Sequence, residues 1–126
     1  MKVPLPPLSI RREIDRCLIS FYRGYRKSDF NKALRLLCRF YDITPPKVVW
    51  YERIDFGATA GKTFQNGMVW LTHPENWKAK SHSLIRTERN WISLVHHELH
   101  HYLFWSKAED KANEFSRQMT RGLHNG

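Results

Sequence analysis

Residues 96–102 read HHELHHY, and within them His97, Glu98 and His101 form the pattern His-Glu-x-x-His. On a helix, residues i and i+4 project from one face about one turn apart, so both imidazoles can reach one zinc ion at roughly 2.0 to 2.1 Å. Glu98 can then accept a proton from a water that the metal activates for attack on a carbonyl. His96 and His100 have the same spacing but lack the following glutamate. The stretch predicts a helix that carries a zinc site.

A catalytic zinc site needs a third protein ligand and an open position. A helix that Ser106 caps would put Glu109 and Asn113 one turn apart, so that Glu109 faces the metal while Asn113 supports a ligand. The spacing of Ser106 and Glu109 also fits a capping box, in which the carboxylate bonds to the backbone instead. Because a helix starting eight residues after His101 can return beside it, we favour Glu109 as ligand. Two carboxylates are the alternatives: Asp110 and Glu114.

Apolar residues spaced by three and four predict two amphipathic helices at the start of the chain. The first runs from Ser9 to near Gly24, and the second begins at a cap formed by Ser28 or Asp29 and stops before Pro45. The predicted buried stripes are Ile10, Ile14, Cys17, Leu18 and Phe21 on the first helix, and Phe30, Ala33, Leu34, Leu37, Cys38 and Tyr41 on the second.

Three β-prone runs follow, over residues 48–51, 59–64 and 68–71. Asn66-Gly67 separates the last two and favours a hairpin turn, because both residues tolerate positive φ. Residues 73–83 are polar and include a proline, so they are expected to form a connection.

Two helices are predicted after this connection. One runs from about Leu84 or Thr87 to Phe104, and the last stops near Gly122. The order of two helices, about three strands and two helices predicts an α+β fold in a single domain that spans residues 1–126.

Composition narrows the class of protein. The chain of 126 residues is 41% hydrophobic and 26% charged, which is typical of one globular domain, and no apolar run approaches the roughly 18 residues of a membrane span. No export signal is visible in residues 1–10, which contain three prolines. Cys17 and Cys38 are too few for a disulfide scaffold. We therefore expect a cytoplasmic protein with reduced thiols in its core and no membrane partner.

The chain carries a net charge of +9, and its basic excess lies mainly in the opening helices. Residues 1–46 hold ten Lys and Arg against four acids, whereas the remainder holds eleven against eight. Such a surface can bind the phosphates of nucleic acid, although charged helix faces are usually only solvated. The basic residues of the two helices are Arg11, Arg12, Arg16, Arg23, Arg26, Lys27, Lys32, Arg35 and Arg39.

The zinc motif followed by Glu109-x-x-Ala112-Asn113-x-Phe115 resembles the gluzincin metallopeptidases, most closely their small ImmA/IrrE-type branch. This resemblance implies a zincin-like fold in which His97, His101 and Glu109 hold Zn²⁺, Glu98 is the general base and Asn113 supports a ligand. It implies a zinc-dependent hydrolase that cleaves peptide bonds in a protein or peptide substrate.

In zincins an edge strand beside the active-site helix binds extended peptide through its backbone. The resemblance makes Met68, Val69 and Trp70 the candidates for this strand, and an ordinary half-buried strand is the alternative interpretation. The alternative function is a basic module that binds nucleic acid or protein and has a structural or vestigial zinc site.

Overall fold

The computed structural model describes residues 4–51, 61–79, 87–104 and 109–123, without the side chains of Tyr51, Ala79, Glu109 and Asp110. Its α+β class confirms the sequence prediction. The elements in chain order are α1 (Leu8–Gly24), α2 (Lys27–Phe40), β1 (Lys47–Tyr51), β2 (Gly61–Thr63), β3 (Met68–Thr72), α3 (Pro74–Ala79), α4 (Glu88–Phe104) and α5 (Glu109–Thr120).

The two opening helices form where the apolar spacing predicts them. Both predicted stripes are buried between the helices and the rest of the core, except that Ile10 and Tyr41 are only half-buried. Cys17 and Cys38 are buried free thiols, and burial raises the pKa of Cys38 to about 11. These helices therefore supply one wall of the core.

The predicted cap of α2 is wrong. The residue before the helix is Arg26, in extended conformation, and its carbonyl accepts the backbone N–H of Asp29 at 3.0 Å. Asp29 instead uses its carboxylate to accept the hydroxyl proton of Ser20 on α1 at 2.8 Å. A contact between helices thus replaces the local cap.

The three strands form one sheet in the order β1-β3-β2. β3 pairs in parallel with β1 and antiparallel with β2, and the predicted hairpin turn between β2 and β3 is confirmed, with Gly67 at φ 89°. The β2 strand lies inside the predicted run 59–64, whose first two residues fall outside the described part of the chain.

The expectation that residues 68–71 form an edge strand is wrong. Hydrogen bonds to neighbouring strands occupy both sides of β3. Val69 and Leu71 are fully buried, and the most apolar strand lies at the centre of the sheet, where burial is greatest. Met68, Val69 and Trp70 are therefore not placed to pair with an added peptide strand.

Part of the predicted connection, residues 74–79, forms the short helix α3. Pro74 stands at its first position, where the missing N–H costs no hydrogen bond. Trp77 anchors α3, because its ring is buried and its indole N–H donates to the carbonyl of Thr87 at 3.2 Å. Residues 80–83 of the predicted connection lie outside the described part.

Helix α4 is the central element. It packs against β2 and β3 on one side and against α1 and α5 on others. Trp91 is fully buried near its start and donates its indole N–H to the carbonyl of Thr72 at 2.8 Å. None of the described helices is long and apolar enough to cross a membrane.

An ion pair between a buried carboxylate and a half-buried guanidinium joins α1 to α4. Arg89 Nη2 lies 3.1 Å from Asp15 Oδ1, and the Asp15 side chain is only 8% exposed. The other terminal nitrogen of Arg89 is buried and has no hydrogen-bond partner among the described residues. Arg89 therefore provides the counter-charge for the buried carboxylate of Asp15.

Asp15→Asn should lower the free energy of unfolding by about 1–3 kcal/mol, because it removes the charge from a buried carboxylate that accepts a hydrogen bond from Arg89. Urea denaturation followed by circular dichroism measures this loss. Glu13→Gln is the matched control on the same helix, since Glu13 pairs with Arg16 and Lys32 at the surface, where ion pairs contribute little. Equal losses in the two variants would contradict the assigned role.

Candidate metal centre

Helix α4 brings together the ligand atoms of His97, Glu98 and His101, which all lie within 4.8 Å of one another. The two Nε2 atoms are 3.3 Å apart, and His97 Nε2 is 4.0 Å from Glu98 Oε2. The side chains of His97 and Glu98 are 17% and 8% exposed. This group could hold a metal ion.

The separation of the two imidazoles fits a shared ion. Two nitrogens bound to one tetrahedral zinc ion at 2.0–2.1 Å stand about 3.3–3.4 Å apart. The observed Nε2–Nε2 distance of 3.3 Å equals this separation. The ring planes are inclined at 75°, so the rings approach each other edge-on rather than stack.

Asn113 on α5 fixes the orientation of His97. Its Oδ1 lies 2.8 Å from His97 Nδ1. Because an amide oxygen only accepts hydrogen bonds, Nδ1 carries the ring proton, and the lone pair of Nε2 remains for a metal. The sequence pattern pointed to Asn113 for this kind of support.

Two residues of β2 hold Glu98 from the sheet side. Thr63 Oγ1 lies 2.8 Å from the backbone oxygen of Glu98 and 3.1 Å from Oε1, so its hydroxyl donates to Glu98. A Cβ added at Gly61 would lie 2.8 Å from Glu98 Cγ and 3.2 Å from Leu94 Cδ1. The absence of a side chain at Gly61 therefore gives Glu98 its room. Sequence reasoning missed both residues, and no local pattern marks them.

The position of residue 109 follows from how α5 lies against α4. Asn113 is level with His97, and Ser116 donates to the carbonyl of Ser93 at 2.9 Å, so α5 runs antiparallel to α4. One turn before Asn113, this register carries residue 109 to the level of His101. The side chain of Glu109 lies outside the described part, as do Ser106 and the proposed capping box.

The alternative ligand Glu114 lies away from this group. Its carboxylate is half-exposed, pairs with Arg117 at 2.8 Å and accepts from Gln118 at 2.7 Å. The other alternative, Asp110, has no described side chain.

The flanking histidines have a different environment. His96 is buried against Phe115, and burial lowers its pKa to about 3. His100 packs against Phe104 and Phe115, and burial lowers its pKa to about 4. Both imidazoles are therefore neutral at pH 7, and the second pair with i, i+4 spacing faces aromatic rings rather than the metal group.

Tyr102 is held away from the site as well. Its hydroxyl donates to the backbone carbonyl of Thr44 in the connection after α2. This contact gives the Tyr102 hydroxyl a structural partner outside the metal group.

The basic residues of the opening helices divide into two sets. Arg16 and Lys32 pair with Glu13, Arg23 pairs with Glu88, and Arg11 donates to backbone carbonyls. The other set forms no ion pair with a described residue and consists of Arg12, Arg26, Lys27, Arg35 and Arg39.

Compared with protein-family models, with curated proteins and with solved structures, the chain has no match in any of the three. A function therefore has to be argued from the site itself.

Gly61→Ala should displace Glu98 and lower the free energy of unfolding by about 1–3 kcal/mol, because the added methyl overlaps Glu98 Cγ and the backbone oxygen of Trp70. Urea denaturation measures this loss. Gly24→Ala is the control, since a Cβ there meets no atom within 4 Å. A Gly61 variant as stable as the Gly24 variant would contradict the tight packing.

Proposed function

We propose that the protein is a zinc-dependent metallopeptidase with a zincin-like site. The observation that carries the proposal is the paired Nε2 atoms of His97 and His101 at 3.3 Å, with the Glu98 carboxylate beside them. Two imidazoles at this separation and an adjacent carboxylate are what hydrolysis by activated water requires.

Three side chains would hold the ion in this proposal. His97 and His101 supply nitrogen ligands from α4, and Glu109 supplies an oxygen from the first turn of α5. The support for Glu109 is the antiparallel register, which brings its backbone level with His101. When bound, zinc would lower the pKa of a water molecule and polarise a peptide carbonyl.

Glu98 is the general base in this proposal. Thr63 directs a hydroxyl at Glu98 Oε1 and the backbone oxygen, while Oε2 lies on the side of His97. A carboxylate fixed at one oxygen can accept a proton at the other without losing its position. Glu98 would then return that proton to the amine that leaves when the peptide bond breaks.

In this proposal the strand that binds the substrate is β2 instead of β3. β2 lies at the edge of the sheet and contacts Glu98 through Thr63. Its other side pairs with no strand in the described ranges, so its backbone can accept an extended peptide next to the proposed base.

Elemental analysis of the purified protein should find about one zinc per chain. His101→Ala and Glu109→Ala should each lose it, because two remaining ligands bind zinc weakly. The control is Glu114→Ala, which removes a carboxylate from the same helix that pairs with Arg117 at the surface. Failure to take up zinc during reconstitution would overturn the proposal and favour nucleic-acid binding by the basic helices.

Glu98→Gln should keep the zinc and abolish hydrolysis, since an amide preserves the shape and the Thr63 contact but cannot accept the proton. Release of peptides from fluorescently labelled casein measures this activity. Thr63→Val is a second variant, expected to retain zinc and to lose at least about tenfold in rate through misorientation of Glu98. Hydrolysis at the wild-type rate in the Gln variant would refute the mechanism.

A further inference from the structure

A cleft of about 270 Å³ lies between α2 and β1. Phe30, Asn31 and Lys27 line it from the helix, and Val48 and Trp50 line it from the strand. Val48 and Trp50 are two apart, so they share the face of β1 that packs toward the helix. The volume suits one large side chain rather than an extended ligand.

The strand that lines this cleft is the other edge of the sheet. The N–H of Lys47 donates to Gly67, on the side of β3, at 3.3 Å. Since peptide groups alternate along a strand, those of Val48 and Trp50 point to the outer side of β1. No backbone group of the described residues pairs with them there.

The surroundings of the cleft are cationic. Its described lining contains Lys27 and no carboxylate. Lys27, Asn31 and Arg35 are spaced by four and follow one another along α2. Lys27 and Arg35 are exposed and form no ion pair with a described residue, although Lys32 on the same helix is paired with Glu13.

We propose that β1 and this cleft bind an extended acidic segment of a partner protein. The segment adds a strand beside β1, with main-chain hydrogen bonds to Val48 and Trp50. One of its apolar side chains fills the cleft, and its carboxylates lie against Lys27 and Arg35. The site is at the sheet edge opposite to β2 and does not depend on the proposed metal centre.

The aromatic rings of the cleft favour a peptide over nucleic acid. Single-stranded nucleic acid binds by stacking bases on exposed ring faces. Phe21 and Phe30 are only 1% and 2% exposed, since they pack against each other, Trp50 and Trp91. Trp50 is the single half-buried ring of the described lining, so successive bases have no row of rings to stack on, whereas the outer backbone groups of β1 can pair with a peptide.

The test uses the full chain and a fluorescein-labelled peptide of sequence DEFVFED, with binding followed by fluorescence anisotropy at low salt. Lys27→Glu combined with Arg35→Glu should weaken binding at least about tenfold by replacing attraction with repulsion. The matched control is Arg12→Glu combined with Arg121→Glu, which makes the same change in net charge at exposed positions that are neither in the cleft lining nor on α2.

Val48→Pro tests the backbone pairing separately, because it removes an outward N–H that no described residue uses. It should also weaken binding about tenfold while circular dichroism stays unchanged. If that variant does not fold, the two charge-reversal pairs alone test the proposal, because substitutions of exposed side chains leave the fold intact. Binding should persist after treatment with a chelator, which separates this site from the metal centre.

Three results would overturn the proposal. The first is no binding of DEFVFED by the wild-type chain at low salt. The second is an equal loss of binding in the two charge-reversal pairs. The third is that Lys27→Glu with Arg35→Glu weakens the binding of an oligothymidylate, or self-association measured by sedimentation, but leaves the binding of DEFVFED unchanged.

Discussion

The burial of α4 is the constraint on which the rest of the structure depends. Imidazole and carboxylate groups lose hydration when they are buried, and each needs a partner to offset that loss. Asn113 on α5 partners His97, and Thr63 on β2 partners Glu98. These two contacts satisfy His97 and Glu98 and fix α5 and the sheet against α4, whereas the buried Nδ1 atoms of His96 and His100 have no hydrogen-bond partner among the described residues. An ion between His97 and His101 would complete this set, since their Nε2 atoms face each other.

The four histidines of residues 96–101 have the same spacing in pairs along the sequence, but their surroundings in the structure differ. The ligand atoms of His97 and His101 lie close to the carboxylate of Glu98, and His97 also contacts Asn113. His96 and His100 pack against Phe115 instead. Burial among aromatic rings favours the neutral form of His96 and His100 and lowers their pKa. These two serve as core residues that keep α5 close to α4. Their packing holds Asn113 within reach of His97.

Local patterns predicted the parts of the fold that local physics decides. The spacing of apolar residues located α1 and α2, and Asn66-Gly67 located the hairpin, because periodicity and turn conformation are properties of short segments. The order of the strands is not such a property: β propensity locates β3 but cannot say which neighbours it pairs with. The carboxylate of Asp29 likewise found Ser20 on another helix instead of capping its own. In the candidate site, the motif spacing predicted that His97, Glu98 and His101 lie together. The hydrogen bond from Thr63 to Glu98 could not be predicted in this way, because the two residues are 35 apart in the chain.

The central position of β3 gives the sheet two edges with different chemistry. β2 lies beside the buried Glu98, so a chain added there meets groups suited to proton transfer. β1 lies beside the cleft and the exposed cations of α2, so a chain added there meets the half-buried side chains of Val48 and Trp50 and positive charge. Two strand spacings separate these edges by about 10 Å, and each edge offers its own row of backbone donors and acceptors. One short sheet can thereby hold an added chain at one edge without blocking the other.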